Sequence, residues 1–273
     1  MDLIVSRENK NVKELAALLS GKKHRDLSGL FALEGLRLCL DALESGVRIE
    51  TLFLTEEADK RYPQLERLKK NTGRTLWLGA DLARRIADTK TPQGVFCICK
   101  KLDNSESAVK MERSGKYLLL SGLQDPGNLG AILRTAQALG VDGVFACDCP
   151  DLYSPKVLRA AMGGLFRLPV AVCGDSAEMV ARLQKARIPV YAAALASGAT
   201  RLDRLDFSAG CAVLVGNEGN GLPPGLVEQC DGSVIIPMRE DANSLNAATA
   251  AAIILWEMTK VRLETTNQKT GGC

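Results

Sequence analysis

Ten consecutive residues, 247–256 (AATAAAIILW), carry no charge and read as a helix. A helix that is apolar on every side must be buried on every side, yet ten residues are too few to cross a bilayer. The segment must lie inside the protein or against a second copy of it. A short apolar strand within SVIIPM, residues 233–238, precedes it across a polar loop. Ser244 and Asn246 stand at the helix start, where a hydroxyl and an amide hold either the first free N–H groups or a ligand. Something polar is presented at the mouth of an apolar helix.

The chain has 273 residues, 46% hydrophobic and 25% charged, enough for two domains with cores of their own. No run of about eighteen apolar residues occurs, so no membrane partner is expected. The start, MDLIVSRENKNVKEL, is too charged for a signal peptide, and the expected location is cytoplasmic. Nine cysteines are scattered, and Cys97/Cys99 and Cys147/Cys149 have C-x-C rather than zinc-clasping spacing. They read as small buried hydrophobes in a reducing compartment. With His24 the only histidine, neither a metal site nor a histidine triad is expected; in KKHRD it reads as part of a solvated basic face.

Net charge is only +3, but residues 1–110 hold four more basic than acidic side chains, and residues 111–273 one fewer. Arg7, Lys10, Lys13, Lys22, Lys23 and Arg25 crowd the beginning and suit an RNA phosphate backbone. A solvated helix face explains the same residues equally well.

Residues 11–19 place Val12, Leu15, Ala16, Leu18 and Leu19 on one helical stripe. A basic turn follows, then strands LFALEG, ETLFLT, TLWLG and GVFCICK, with helices expected at 34–43, 62–70 and 80–88. This alternation predicts a small α/β domain over residues 1–102, followed by a polar linker, 103–115. From Lys116 strands YLLLSGL, GVFAC, LPVAV, PVYAAAL and CAVLVG alternate with helices. They predict a mostly parallel sheet covered on both faces over 116–263, with ligands at the carboxyl ends of its strands. Residues 264–273 are expected to form a flexible tail.

Three loops after strands carry the chemistry. In SGLQDPGNLGAILRTAQALG, 121–140, Asn128 can cap the helix, and Arg134 projects from the apolar stripe with no carboxylate three or four residues away. Such an arginine is partnered at long range or waits for an anion such as phosphate. In CAVLVGNEGNGLPPG, 211–225, Gly216, Gly219 and Gly221 allow positive φ and close approach to a ligand, and Glu218 can orient a polar group. The spacing matches neither nucleotide-binding glycine motif. The third loop holds Ile236 to Met238, then Ser244, Leu245 and Asn246.

In order, N-L-G-A-I-x-R-T, L-V-G-N-E-G-x-G-L and I-P-M-x-x-x-x-x-S-L-N-A before an apolar helix resemble the SpoU-type branch of the SPOUT RNA methyltransferases. K-x-L, F-A-L-E-G and T-P-Q-G-V within residues 1–100 are similar to that family's RNA substrate-binding domain. The resemblance implies a deep trefoil knot in the second domain, which periodicity alone does not suggest. It implies methyl transfer from S-adenosylmethionine to a ribose 2′-hydroxyl, by a homodimer, on ribosomal RNA, with transfer RNA second. Asn128, Arg134, Glu218, Ser244 and Asn246 fall at the family's catalytic positions. Gly216, Asn217, Gly219, Ile236, Met238 and Leu245 fall in its cofactor loops. Glu240 and Asn243 depart from the family pattern. A non-catalytic RNA-binding or ribosome-assembly factor is the alternative, against which joint retention of the five catalytic positions argues.

Overall fold

The computed structural model describes residues 3–239 and 244–270. By its contacts the chain divides into two units, Met1–Leu102 with Asp151–Phe166, and Asp103–Pro150 with Arg167–Cys273.

The first unit contains β1 (Leu3–Ile4), α1 (Lys10–Ser20), α2 (Lys22–Ser28), β2 (Leu30–Glu34), α3 (Leu36–Glu44), β3 (Ile49–Leu54) and α4 (Glu56–Arg61). It continues with α5 (Leu65–Lys70), β4 (Arg74–Leu78), α6 (Ala80–Ile86) and β5 (Val95–Lys100). The sheet order is β1-β4-β3-β5-β2, with β5 antiparallel to both its neighbours and the other pairs parallel. β5 is buried from Val95 to Cys99, which is why VFCIC is an unbroken apolar run rather than an alternating one. Asn9 starts α1 by accepting the Asn11 N–H at 2.9 Å, and Val12, Leu15, Leu18 and Leu19 turn inward onto Phe53, Phe96 and Ile98.

Two expectations change here. The basic turn after α1 is helical, α2, and the helix expected over 62–70 starts later, at Leu65 as α5, with a separate short helix, α4, before it at Glu56–Arg61 under a Thr55 cap. In addition, a segment from the middle of the expected catalytic domain packs with the first unit. It contains α8 (Pro155–Ala161), which lies against β2, and Tyr153, whose ring centroid is 4.6 Å from that of Phe31. Two aromatic residues hold this segment, because Phe166 also lies beside Phe31 at 6.2 Å.

The second unit contains β6 (Lys116–Ser121), α7 (Pro126–Ala138), β7 (Gly143–Cys147), β8 (Val170–Cys173), α9 (Ser176–Lys185), β9 (Val190–Ala193) and β10 (Thr200–Arg201). It ends with β11 (Cys211–Val215), α10 (Pro224–Glu228), β12 (Gly232–Ile235) and α11 (Ala247–Thr270). Its sheet is parallel throughout in the order β10-β12-β9-β11-β6-β7-β8. One apolar cluster joins Tyr117, Leu119 and Phe145 of the strands to Met179, Val180 and Leu183 of α9. α7 and α11 pack on each other, and Ala251, Ile254, Leu255 and Met258 of α11 are buried at helical spacing.

Within one chain α11 is not enclosed on every side. Trp256 is 52% exposed and Val261 59%. The flexible tail expected from residue 264 is helical to Thr270, because α11 continues through it. Among the described residues, no helix is long and apolar enough to cross a membrane, and no group of three or more His, Cys, Asp or Glu residues is placed to hold a metal ion.

Candidate active site

Because every strand of the second sheet is parallel, the loops after β6, β11 and β12 leave the same edge. A hydrogen-bonded chain joins them. The Glu218 carboxylate, after β11, accepts the N–H groups of Gln124 at 2.9 Å and Asp125 at 3.1 Å and the Asn128 side-chain amide at 3.0 Å. Asn128 Oδ1 accepts Asn246 Nδ2 at 3.0 Å. Asn246 Oδ1 in turn caps α11 by accepting the N–H groups of Ala248 and Thr249. Partial burial acts to raise the Glu218 pKa, but the bonds from Asn128, Gln124 and Asp125 outweigh it and hold the carboxyl below its usual range. Glu218 therefore acts as a fixed anionic acceptor that sets where the first turns of α7 and α11 sit.

Asn217 fixes the same loop from within. Its Nδ2 donates to Gly122 O at 2.7 Å, and its Oδ1 accepts the N–H groups of Gly219 and Asn220. Its side chain thus holds the shape of the loop. Gly216 likewise serves the loop, since a Cβ there would lie 2.6 Å from Gly221 O and 2.7 Å from Leu222 Cγ. Of the three glycines that allow positive φ, only Gly221 adopts it, at 65°.

The apolar cleft beside this network lies at the ends of β9 and β12. It encloses about 140 Å³, and Ile236, Met238, Ser244 and Leu245, all singled out from sequence, line it. Ala193, Ala194 and Leu195 complete it from the end of β9, and sequence reasoning missed them because PVYAAAL looks like core. The signal was its end, where Leu195 is 77% exposed. Apart from the Ser244 hydroxyl the lining side chains are apolar, and the small alanines leave main-chain groups within reach. Such a slot suits a flat heterocycle recognised by backbone hydrogen bonds, as the adenine of S-adenosylmethionine would be. Glu240 and Asn243 lie outside the described residues.

Ser244 was a candidate helix cap, but Asn246 does the capping. Arg134 stands on the outer face of α7, exposed, with no hydrogen bond or ion pair to any described residue. Asn128 therefore engages Glu218 and Asn246 and not Arg134.

The basic residues at the beginning separate into two kinds. Arg25 is 3% exposed, and its Nε and Nη2 each lie 2.7 Å from Asp151 Oδ2, while Nη1 donates to Leu18 O at 2.5 Å. It closes the end of α1 and anchors the 151–166 segment, so its expected role as an RNA contact is corrected to a structural one. Lys10, Lys22 and Lys23 are exposed. Lys13 pairs with Glu8 at 2.5 Å, and Arg7 donates to Arg85 O at 3.0 Å. Lys10 and Lys13 also line a groove with Asn11, Glu14, His24 and Arg74, a concave surface with three cations to one carboxylate that charge counting alone could not assemble.

Residues 115–256 match the SpoU rRNA Methylase family, and residues 9–97 match the MRM3-like substrate binding domain. The 23S rRNA (guanosine(2553)-2′-O)-methyltransferase RlmP of Bacillus subtilis is 34% identical over 94% of this chain and 99% of its own. The 23S rRNA (uridine(2479)-2′-O)-methyltransferase of Streptomyces viridochromogenes is 28% identical over 95% and 92%. The crystal structure of an AdoMet-bound rRNA methyltransferase from Sinorhizobium meliloti superposes with a TM-score of 0.84 and 33% identity, covering 95% of this chain and 98% of that one. With the matched model spanning more than half its length, the chain belongs to the SpoU rRNA methylase family.

Proposed function

We propose that this protein transfers a methyl group from S-adenosylmethionine to a ribose 2′-hydroxyl of ribosomal RNA. The observation that carries the reading is the Glu218–Asn128–Asn246 chain beside the apolar cleft at one edge of the parallel sheet. The cofactor supplies an electrophilic methyl group; the protein must orient the acceptor. Leu195, Ile236, Met238 and Leu245 would hold the cofactor's flat ring, with Ser244 the polar side chain of the lining. Arg134, unpaired among the described residues, takes a substrate phosphate and turns the adjacent 2′-hydroxyl toward attack. The hydroxyl oxygen would take the methyl group as the cofactor's S–CH3 bond breaks and its electron pair stays on sulfur; the hydroxyl proton would pass to solvent, which reaches the exposed Arg134, and the guanidinium would stabilise the developing oxyanion.

The relatives named above act on 23S rRNA at a guanosine and at a uridine, which favours ribosomal over transfer RNA and a site that reads the ribose rather than one base. Lys10, Lys22 and Lys23 are the surface cations for the RNA backbone, and a cytoplasmic location belongs to the same proposal. The exposed Trp256 and Val261 of α11 support a homodimer, and the trefoil knot implied by the family motifs belongs to the same proposal. The test is ribose-methylation mapping across ribosomal RNA from cells with and without the protein. One 2′-O-methyl mark should vanish with the gene and return with purified protein and cofactor. A mark that instead moves to a base, or no lost mark, refutes the reading.

A further inference from the structure

The F-A-L-E-G and T-P-Q-G-V motifs lie outside the methyl-transfer site, yet the first unit folds them around one cleft of about 350 Å³. Its lining includes Gly35, Arg37, Leu38, Thr89, Thr91 and Gln93, joined by Arg159 and Met162 from the 151–166 segment. The walls are fixed. Glu34, 8% exposed, accepts the N–H groups of Asp88 at 2.8 Å and Thr89 at 3.3 Å and the Thr89 hydroxyl, which pins the 88–89 backbone. Gln93 Oε1 accepts the Leu36 N–H at 2.8 Å, which ties the second motif to the first.

Two features go beyond structure. Arg37 is exposed and has no hydrogen bond or ion pair to any described residue, whereas Arg159 is held by Asp88 at 2.6 Å. Met162, at the end of α8, has φ 46°, a left-handed conformation that glycine would adopt without strain. A methionine held there places an adaptable thioether side chain in a cleft lining that also includes buried Leu38.

The lining is not a phosphate trough, because Glu34 and Asp41 balance the two arginines. It offers instead one free guanidinium plane, apolar side chains to lie against a ring, and hydroxyl and amide groups for base edges. Those are the groups that take an unstacked RNA base. We propose that this cleft binds a single unpaired nucleotide of the substrate RNA, its base lying on Arg37 and against Met162. The proposal rests on the RNA-methyltransferase reading and adds how the first unit tells a loop from a helix.

The test uses the full chain and two probes, an unstructured oligoribonucleotide of about twelve residues containing 4-thiouridine and a fully paired duplex of equal length. Arg37→Ala should weaken single-strand binding about tenfold, as loss of one stacked base does, and leave duplex binding and S-adenosylmethionine affinity unchanged. Arg37→Lys, with the charge but not the plane, should lose nearly as much, and photo-crosslinks should map to residues 34–41, 88–93 or 159–162. Unchanged single-strand affinity in Arg37→Ala, equal losses on duplex, or full rescue by lysine each overturn the proposal. If the wild-type chain neither binds S-adenosylmethionine nor methylates RNA, the proposed function falls. Arg37-dependent binding of the single strand alone would then still support the cleft.

Discussion

Arg25→Gln tests whether the most buried cation of the basic cluster holds the fold or the RNA. The side chain is 4% exposed and its partner Asp151 10%, so substitution leaves a carboxylate with little access to water and no counter-charge. Removing one member of such a buried pair costs about 3–5 kcal/mol. Leu18 O also loses its donor, which puts the loss toward the upper part of that range. For a unit of this size each kcal/mol moves the melting temperature by about 3–5 °C, so a drop of roughly 10–20 °C is expected in thermal unfolding. Hydrogen exchange should quicken most at the end of α1 and around residues 151–153, where Asp151 Oδ1 accepts the Tyr153 N–H. Arg25→Met with Asp151→Asn should recover part of the loss, since no lone charge stays buried and the Tyr153 bond survives. Lys22→Ala with Lys23→Ala should leave melting unchanged and lower the salt dependence of RNA binding by about one logarithmic unit per lost contact. An Arg25→Gln protein that melts like wild type but binds RNA with a flattened salt dependence would refute the structural assignment.

Five further outcomes are expected. Arg134→Ala and Arg134→Lys should each lower the rate of methyl transfer about 10²- to 10³-fold with S-adenosylmethionine affinity retained, and wild-type turnover in the lysine variant would reduce the role to charge alone. Gly216→Ala should destabilise by about 1–3 kcal/mol through the Gly221 main chain, and a neutral melting temperature would show that the loop can move. Glu218→Gln and Asn128→Ala should be non-additive in turnover, being parts of one network. Because the Glu218 pKa is lowered on folding, its contribution is present above the ordinary carboxylate value of 4.5 and lost as pH falls through the folded value, so Glu218→Gln should flatten the acid limb of stability. Light scattering should give twice the chain mass of 29.3 kDa, and Trp256→Glu should shift it toward the monomer.

The strands were readable wherever burial on both faces produced an unbroken apolar run, as in Val95–Lys100 and Cys211–Val215. The loops of the site were readable because parallel strands place chemistry at their carboxyl ends, and that rule needs only the alternation of elements. What could not be read was long-range partnership. Arg25 looks like any surface arginine until Asp151, 126 residues away, is placed beside it. The same separation hid the 151–166 segment, which has an ordinary helix start at Ser154 and Pro155 and nothing local to say which sheet it covers. Ser244 and Asn246 are both good caps on paper, and only the geometry at the start of α11 chooses Asn246.

That choice determines how the site is built. Asn246 uses one side-chain atom to start α11 and the other to reach Asn128 in the first turn of α7, and α7 and α11 pack together along their buried faces. Glu218 then fixes the main chain immediately before α7 through Gln124 and Asp125. The first turns of two helices and the loop after β11 are therefore positioned by one exposed carboxylate and two amides, without a buried charge among them. Ser244, two residues before the α11 cap, lies in the cleft lining, so the network that fixes the helix starts also carries the cleft's polar group. An apolar helix with a polar start thus has two uses here: its sides make the core and supply the exposed face proposed for the dimer, and its first residues join the catalytic loops.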